Sequence, residues 1–246
     1  MRRFDTVVLP TGDRARITLP DSTAHGDIVV YLHGRSGSEA SLDEPDRAAL
    51  RDALLAAGYL LASPAMHGDA WGNRTAQDDL VALDAWLDAY GYTGRRFLLG
   101  ESMGAGAAAN ALRLGEIPVA GVVMIAPSLS LTAVWDRGEA GRESLTSAYE
   151  LAPDGADVAE RTHAWDPIRH DARRYRRAPI LVFASAEDRI AALHTVTGPW
   201  VAAVRTAGLP VDLVRVRGGH VSDDHIRPGE VVGFFDRLAG RGISEP

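Results

Sequence analysis

Apolar positions along this chain follow two alternating rhythms. Short aliphatic and β-branched runs at 27–32 (DIVVYL), 59–63, 96–99 (RFLL), 119–125 (VAGVVMI), 179–184 (PILVFA) and 210–216 read as strands. Between them lie longer stretches rich in Ala, Leu, Arg and Asp, with apolar residues three and four apart, the spacing of one helix face. Segment 76–90 is the clearest, because Leu80, Leu83 and Leu87 share a face with Trp86 beside them. Helices are also predicted over 44–57, 103–114, 191–207 and 228–238, with Asp43 as N-cap and Gly58 as stop for the first. Segments 4–9 and 14–19 read as an antiparallel pair, joined by the turn-rich Pro10-Thr11-Gly12-Asp13. Eight strands alternating with five helices define an α/β protein.

Residues 128–178 break the rhythm. They hold no convincing strand, eight arginines, and Trp135, Tyr149 and Trp165. The expectation is an insertion over one end of the sheet. It is either a functional lid, as long irregular segments in compact domains tend to be, or a helical excursion that only covers the sheet. No repeat or composition shift divides the chain, so one domain of 246 residues carrying this insertion is expected.

Composition narrows the chemistry. Apolar residues at 46% and charged residues at 24% exclude a disordered chain. A net charge of −7 repels phosphate backbones, so no nucleic-acid partner is expected. All 26 basic residues are arginine, which removes lysine Schiff bases, lysine general bases and the Walker lysine. The absence of cysteine removes disulfides, thiolate nucleophiles and cysteine-bound metals. The apolar patch after Arg2 and Arg3 is too short for a signal-peptide core, and no apolar run reaches membrane-spanning length, so a cytoplasmic protein without a membrane partner is expected. Oligomeric state is not legible.

One motif carries reaction chemistry. Gly100-Glu101-Ser102-Met103-Gly104 fits G-x-S-x-G, directly after a strand and directly before a helix. A nucleophile elbow needs that order: the turn is sharp, and the glycines remove Cβ atoms where the helix folds back. A serine hydroxyl also needs a base. Of eight histidines, His220 in Arg217-Gly218-Gly219-His220 sits just past the last strand, where a loop lifts its side chain over the sheet edge. His225 is the competitor, but lies further from the strand end, and His25 falls at the wrong end of its strand. The expected third member, which orients the imidazole, is Asp188, just past strand 179–184; Glu187 beside it is the competitor, and since neighbouring loop residues point in different directions only one of the two is expected to reach His220. The backbone N–H groups of Met103 and Arg35 are the expected oxyanion donors, the latter in His33-Gly34-Arg35-Ser36-Gly37-Ser38, and His33 is expected to brace that loop. Trp71 and Trp135 are candidate pocket walls, with Asp69 or Asn73 as polar contacts. Arg137, Arg142 and the 173–177 cluster meet an acidic substrate or form a solvated face, the second being the better expectation. His220 and His225 lack the spacing of a metal-binding helix pair, so no metal site and no cofactor are expected.

In its order and spacing the chain resembles the α/β-hydrolase-fold serine hydrolases, from His33-Gly34 through Ser102 to Asp188 and His220. Asp166-Pro167-Ile168 and Ala178-Pro179-Ile180-Leu181-Val182 are also similar to the approach to the acid strand in prolyl-oligopeptidase-like and dienelactone-hydrolase-like members. The acid strand departs from the common pattern, ending in Ala184-Ser185 rather than His-Gly or Gly, and the dienelactone hydrolases' cysteine nucleophile is absent. The resemblance implies a mostly parallel, twisted, eight-stranded sheet flanked by helices. It also implies hydrolysis of a small-molecule carboxylic ester through an acyl-enzyme on Ser102. Thioesterase, lactonase and peptidase chemistry use the same residues, and a non-catalytic member would bind a small ligand in the same pocket.

Overall fold

The computed structural model describes residues 4–21 and 26–241; His25 lies outside them. Eight strands form one open sheet in the order β1-β2-β4-β3-β5-β6-β7-β8. They are β1 (Phe4–Val8), β2 (Arg14–Thr18), β3 (Ile28–Leu32), β4 (Leu60–Pro64), β5 (Arg96–Glu101), β6 (Gly121–Ile125), β7 (Ile180–Ser185) and β8 (Val211–Val216). The β1–β2 and β2–β4 pairs are antiparallel, and every pair from β4 to β8 is parallel. Strands β3, β5, β6 and β7 are buried along their whole length. That is why they read as continuous apolar runs rather than as alternation, since helices cover both faces of a parallel sheet.

On one face pack α2 (Arg74–Ala89), α3 (Met103–Leu114) and α7 (Gly198–Thr206); on the other, α1 (Ala48–Ala56) and α8 (Pro228–Leu238). The period of two sorts the side chains of each strand. Val30 and Leu32 join the α2–α3 core, while Val29 and Tyr31 join the α1–α8 core with Phe97, Phe234 and Phe235. Between β6 and β7 the segment without strands folds as α4 (Leu131–Asp136), α5 (Glu139–Tyr149), α6 (Val158–Arg161) and three 3-10 turns. Its Leu131, Val134, Leu145 and Tyr149 enter the α2–α3 core.

Three predicted helix starts shift, each for a local reason. Segment 44–57 opens with two 3-10 turns and becomes helical only at Ala48. Pro45 holds Glu44 extended (φ −62°, ψ 149°), which breaks the first turn. Asp43 caps nothing; it pairs with Arg16 at 2.6 Å and Arg51 at 3.0 Å. Helix α2 starts at Arg74, two residues early, because the Asn73 side chain accepts from the Ala76 N–H at 3.2 Å. The helix predicted from Ala191 opens with a wide π turn at Leu193–Thr197, and regular α-helix begins at Gly198-Pro199. Proline's missing N–H suits a first turn.

Candidate active site

Strand β5 ends in the elbow. Ser102 is in the left-handed region (φ 50°, ψ −110°), which a non-glycine residue adopts only at a cost of about 1–3 kcal/mol. The neighbouring glycines make that turn possible. A Cβ on Gly104 would run into the Leu32 carbonyl, and one on Gly100 would meet the Ala105 Cα at 2.6 Å. Helix α3 therefore lies directly on β3 and β5. Ser102 occupies the N-cap position of α3 without capping it, so its hydroxyl stays available.

The hydroxyl meets an imidazole. Ser102 Oγ lies 2.8 Å from His220 Nε2, and His220 Nδ1 lies 2.8 Å from Asp188 Oδ2. These residues follow β5, β8 and β7, and parallel pairing sets all three strand ends on one edge of the sheet. Asp188 has no side-chain exposure. Its Oδ1 accepts the N–H groups of Ile190 (2.7 Å) and Ala191 (2.9 Å), leaving Oδ2 for the imidazole. Burial by itself raises a carboxyl pKa. Here the His220 hydrogen bond and charge, with the Ala191 and Ile190 amides, outweigh it and hold the Asp188 carboxyl below the ordinary carboxylate range. An ionised Asp188 accepts from Nδ1–H, so Nε2 is left to accept the serine proton.

Neighbours of these residues do other work. Glu187 accepts the Gly218 N–H at 3.2 Å and so holds the loop that carries His220. His225 is wholly buried, with Nδ1 3.1 Å from Ser222 Oγ, whereas the Ser102 hydroxyl pairs with His220. His33 is buried, each ring nitrogen facing a carbonyl: Gly34 at 2.7 Å and Ala65 at 2.8 Å. A Cβ on Gly34 would stand 3.5 Å from Ser102 Cβ, so the loop after β3 passes directly over the serine. Met103 opens α3, where the first N–H groups of a helix have no acceptor within it.

Ser102, His220, Gly34 and Arg35 line a cavity of about 360 Å³. Trp71 and Ser128 line it too, with Val134 and Arg137 to Gly141 at the α4–α5 corner. Trp71 donates its indole N–H to Ser144 Oγ at 2.7 Å, which ties this wall to α5. Trp135 does not line the cavity: its ring packs against Gly155 and lies under the Arg142 guanidinium. A residue one step from Val134 along a helix turns to another side. Asp69 and Asn73 are taken up by structure. Asp69 accepts from the Ser36 N–H (2.6 Å) and the Ser144 hydroxyl (2.9 Å), while Asn73 caps α2 and donates to the Ala148 carbonyl. Arg137 lines the cavity, whereas Arg142 and the 173–177 cluster do not.

Two features were missed by reading the sequence. Ser128 Oγ is 3.4 Å from Ser102 Oγ, and its only sequence signal is its place just past β6. Beneath the elbow, Glu101 is buried in a bidentate pair with Arg47 (2.6 and 2.8 Å), and Tyr31 Oη approaches it at 3.3 Å. Nothing in the spacing of Tyr31, Arg47 and Glu101 connects them.

The sheet order, the elbow and the strand-end placement together define the α/β-hydrolase fold. Compared by sequence, the chain matches no family model and no curated protein. Compared by structure, it is similar to puromycin hydrolase (TM-score 0.76, 20% identity), covering 99% of this chain and 40% of that one. It is similar to the esterase Pf2001 of Pyrococcus furiosus (TM-score 0.71, 16% identity; 98% and 91% covered). It is also similar to the acylaminoacyl peptidase of Pyrococcus horikoshii (TM-score 0.73, 15% identity; 100% and 43% covered). The chain thus spans about two fifths of puromycin hydrolase and of that peptidase, and nearly all of the esterase. No helix among the described residues is long and apolar enough to cross a membrane.

Proposed function

We propose that this chain is a serine hydrolase that cleaves small carboxylic esters through an acyl-enzyme. The observation that carries the reading is the unbroken relay Ser102–His220–Asp188, with both links at 2.8 Å, opening into a cavity. In this reading Ser102 Oγ attacks the acyl carbonyl while His220 Nε2 takes its proton. The N–H groups of Met103 and Arg35 hold the oxyanion, and losing one such donor costs on the order of 10²–10³ in turnover. His220 then protonates the leaving alcohol, with Asp188 stabilising the imidazolium. Water, deprotonated by His220, releases the acid. No cofactor takes part in these steps. A volume of about 360 Å³ suits a small-molecule ester. The α4–α5 corner contributes Val134 and Arg137 to its wall, which supports residues 128–178 as a cap within a single catalytic domain.

A fluorophosphonate probe tests the chemistry. The folded chain is expected to take one label, and Ser102→Ala none. A folded chain that stays unlabelled would overturn the reading in favour of a ligand-binding protein. A chain-length series of nitrophenyl esters beside matched thioesters, lactones and peptide anilides then tests the substrate class. Fastest turnover on short esters is expected, and fastest turnover on an anilide would replace esterase by peptidase.

A further inference from the structure

Away from the serine, at the β2–β4 side of the sheet, three side chains converge. Asp13 comes from the β1–β2 turn, His67 from the loop after β4, and Asp79 from α2. Each offers one donor atom, and these atoms all lie within 4.8 Å of one another. His67 Nδ1 is 2.7 Å from Asp79 Oδ2 and 3.9 Å from Asp13 Oδ1.

The burial of this cluster is unusual. Asp13 is 5% exposed and Asp79 is 0% exposed, yet no arginine pairs with either among the described residues. The charged groups facing them are each other and His67. Even a protonated imidazole leaves one negative charge uncompensated in the interior, where an unpaired charge is costly. The Thr11 hydroxyl lies beside Asp79. Asp79 Oδ1 nonetheless has no hydrogen-bond partner of ordinary geometry. Asp13 spends one lone pair of each oxygen on the N–H groups of Met66 (2.8 Å) and His67 (3.1 Å), which fixes the carboxylate and leaves further lone pairs. The His67 ring is 40% exposed, so the cluster opens to solvent on that side.

We propose that Asp13, His67 and Asp79 form a binding site for one divalent first-row transition ion, of which Zn²⁺ is the representative. The ion replaces the proton on His67 Nδ1, which leaves to solvent, and takes one oxygen from each aspartate; water enters from the open side. Two carboxylates, an imidazole and water are a donor set that Zn²⁺ accepts at about 2.0–2.2 Å. Two carboxylates and a dication also balance the buried charge. The nitrogen ligand and low donor count disfavour Ca²⁺, which takes six to eight oxygens. The ion would join the β1–β2 turn, α2 and the loop that continues to Asp69 and Trp71, so its effect falls on stability rather than on the chemistry at Ser102.

The test uses the full chain and the metal alone. Wild type dialysed against Zn²⁺ is expected to retain one ion per chain and to melt at a higher temperature than metal-free protein. His67→Ala and the near-isosteric Asp79→Asn are expected to weaken binding by more than about tenfold. A His163→Ala/His170→Ala variant is expected to bind as wild type does. Those two rings lie 6.0 Å apart in the 128–178 segment and form the competing surface pair. The proposal is overturned if wild type holds no zinc, if the folded His67→Ala and Asp79→Asn variants bind as tightly as wild type, or if the ion leaves with His163 and His170. Calcium binding as tight as zinc, and insensitive to His67, would equally overturn it.

Discussion

Asp188 and Glu187 are adjacent in sequence and different in chemistry. Asp188 Oδ2 holds the His220 tautomer, while Glu187 holds the His220 loop through the Gly218 N–H. Asp188→Asn keeps the shape but offers a donor where Nδ1–H needs an acceptor, so turnover is expected to fall by about 10⁴. Glu187→Gln keeps an acceptor and is expected to cost less than about tenfold; steady-state kinetics on one nitrophenyl ester separates the two. Because the Asp188 carboxyl lies below the ordinary carboxylate range, it stays ionised as pH falls. The Asp188 carboxylate therefore does not set the acid limb of the rate profile, and in Asp188→Asn the residual activity is expected to keep that limb. At this scale the sequence was readable wherever a role depends on position after a strand: Ser102 directly follows β5, and Asp188 and His220 lie in the loops that leave β7 and β8. It misplaced Trp135, read as a pocket wall but turned away from the cavity with the turn of α4, and it was silent on Ser128.

At the scale of elements, small residues decide how closely α3 approaches the sheet. A methyl at Gly104 collides with backbone at Leu32, which cannot swing aside as a side chain can. Gly104→Ala is expected to destabilise the chain by roughly 3 kcal/mol or more, read from urea unfolding. The buried Arg47–Glu101 pair makes a second prediction. Arg47→Ala strands the Glu101 carboxylate and is expected to cost about 3–5 kcal/mol. Adding Glu101→Gln to that variant is expected to restore part of the loss, because the stranded charge disappears. Strands were legible as elements because burial on both faces writes a continuous apolar run. Helix starts were less legible. Pro45, Asn73 and Pro199 set them through a broken turn, a cap and a missing N–H, whereas apolar spacing reports only the middle of a helix. The 128–178 helices were unreadable since α4 and α6 are too short to show a period, and they hold their place through contacts such as Trp71–Ser144 from distant segments.

For the molecule as a whole, acid and base act on two of the buried aspartates, Asp166 and Asp188, with opposite sign. Asp166 lies in the 128–178 segment, where burial pushes its carboxyl up to about 6 against the pull of the Leu131 and Thr132 amides. The folded chain thus binds a proton more tightly than the unfolded chain, whose ordinary value is 3.8. Asp166 therefore adds most stability below the unfolded value and loses it as pH rises through about 6. About two pKa units correspond to roughly 3 kcal/mol at most. Asp166→Asn is expected to flatten the fall in melting temperature across that window. Asp188 works in the other direction, its contribution fading as the solution becomes acidic.

The sheet order also has a consequence in time. During synthesis the stretch that bears the reactive hydroxyl emerges more than a hundred residues before the base that activates it. The base is positioned only when β8, the outermost parallel strand, docks against β7. Until that docking, a nascent polypeptide carries an inert alcohol, so the enzyme we propose becomes capable of acylation only once β8 has joined the sheet.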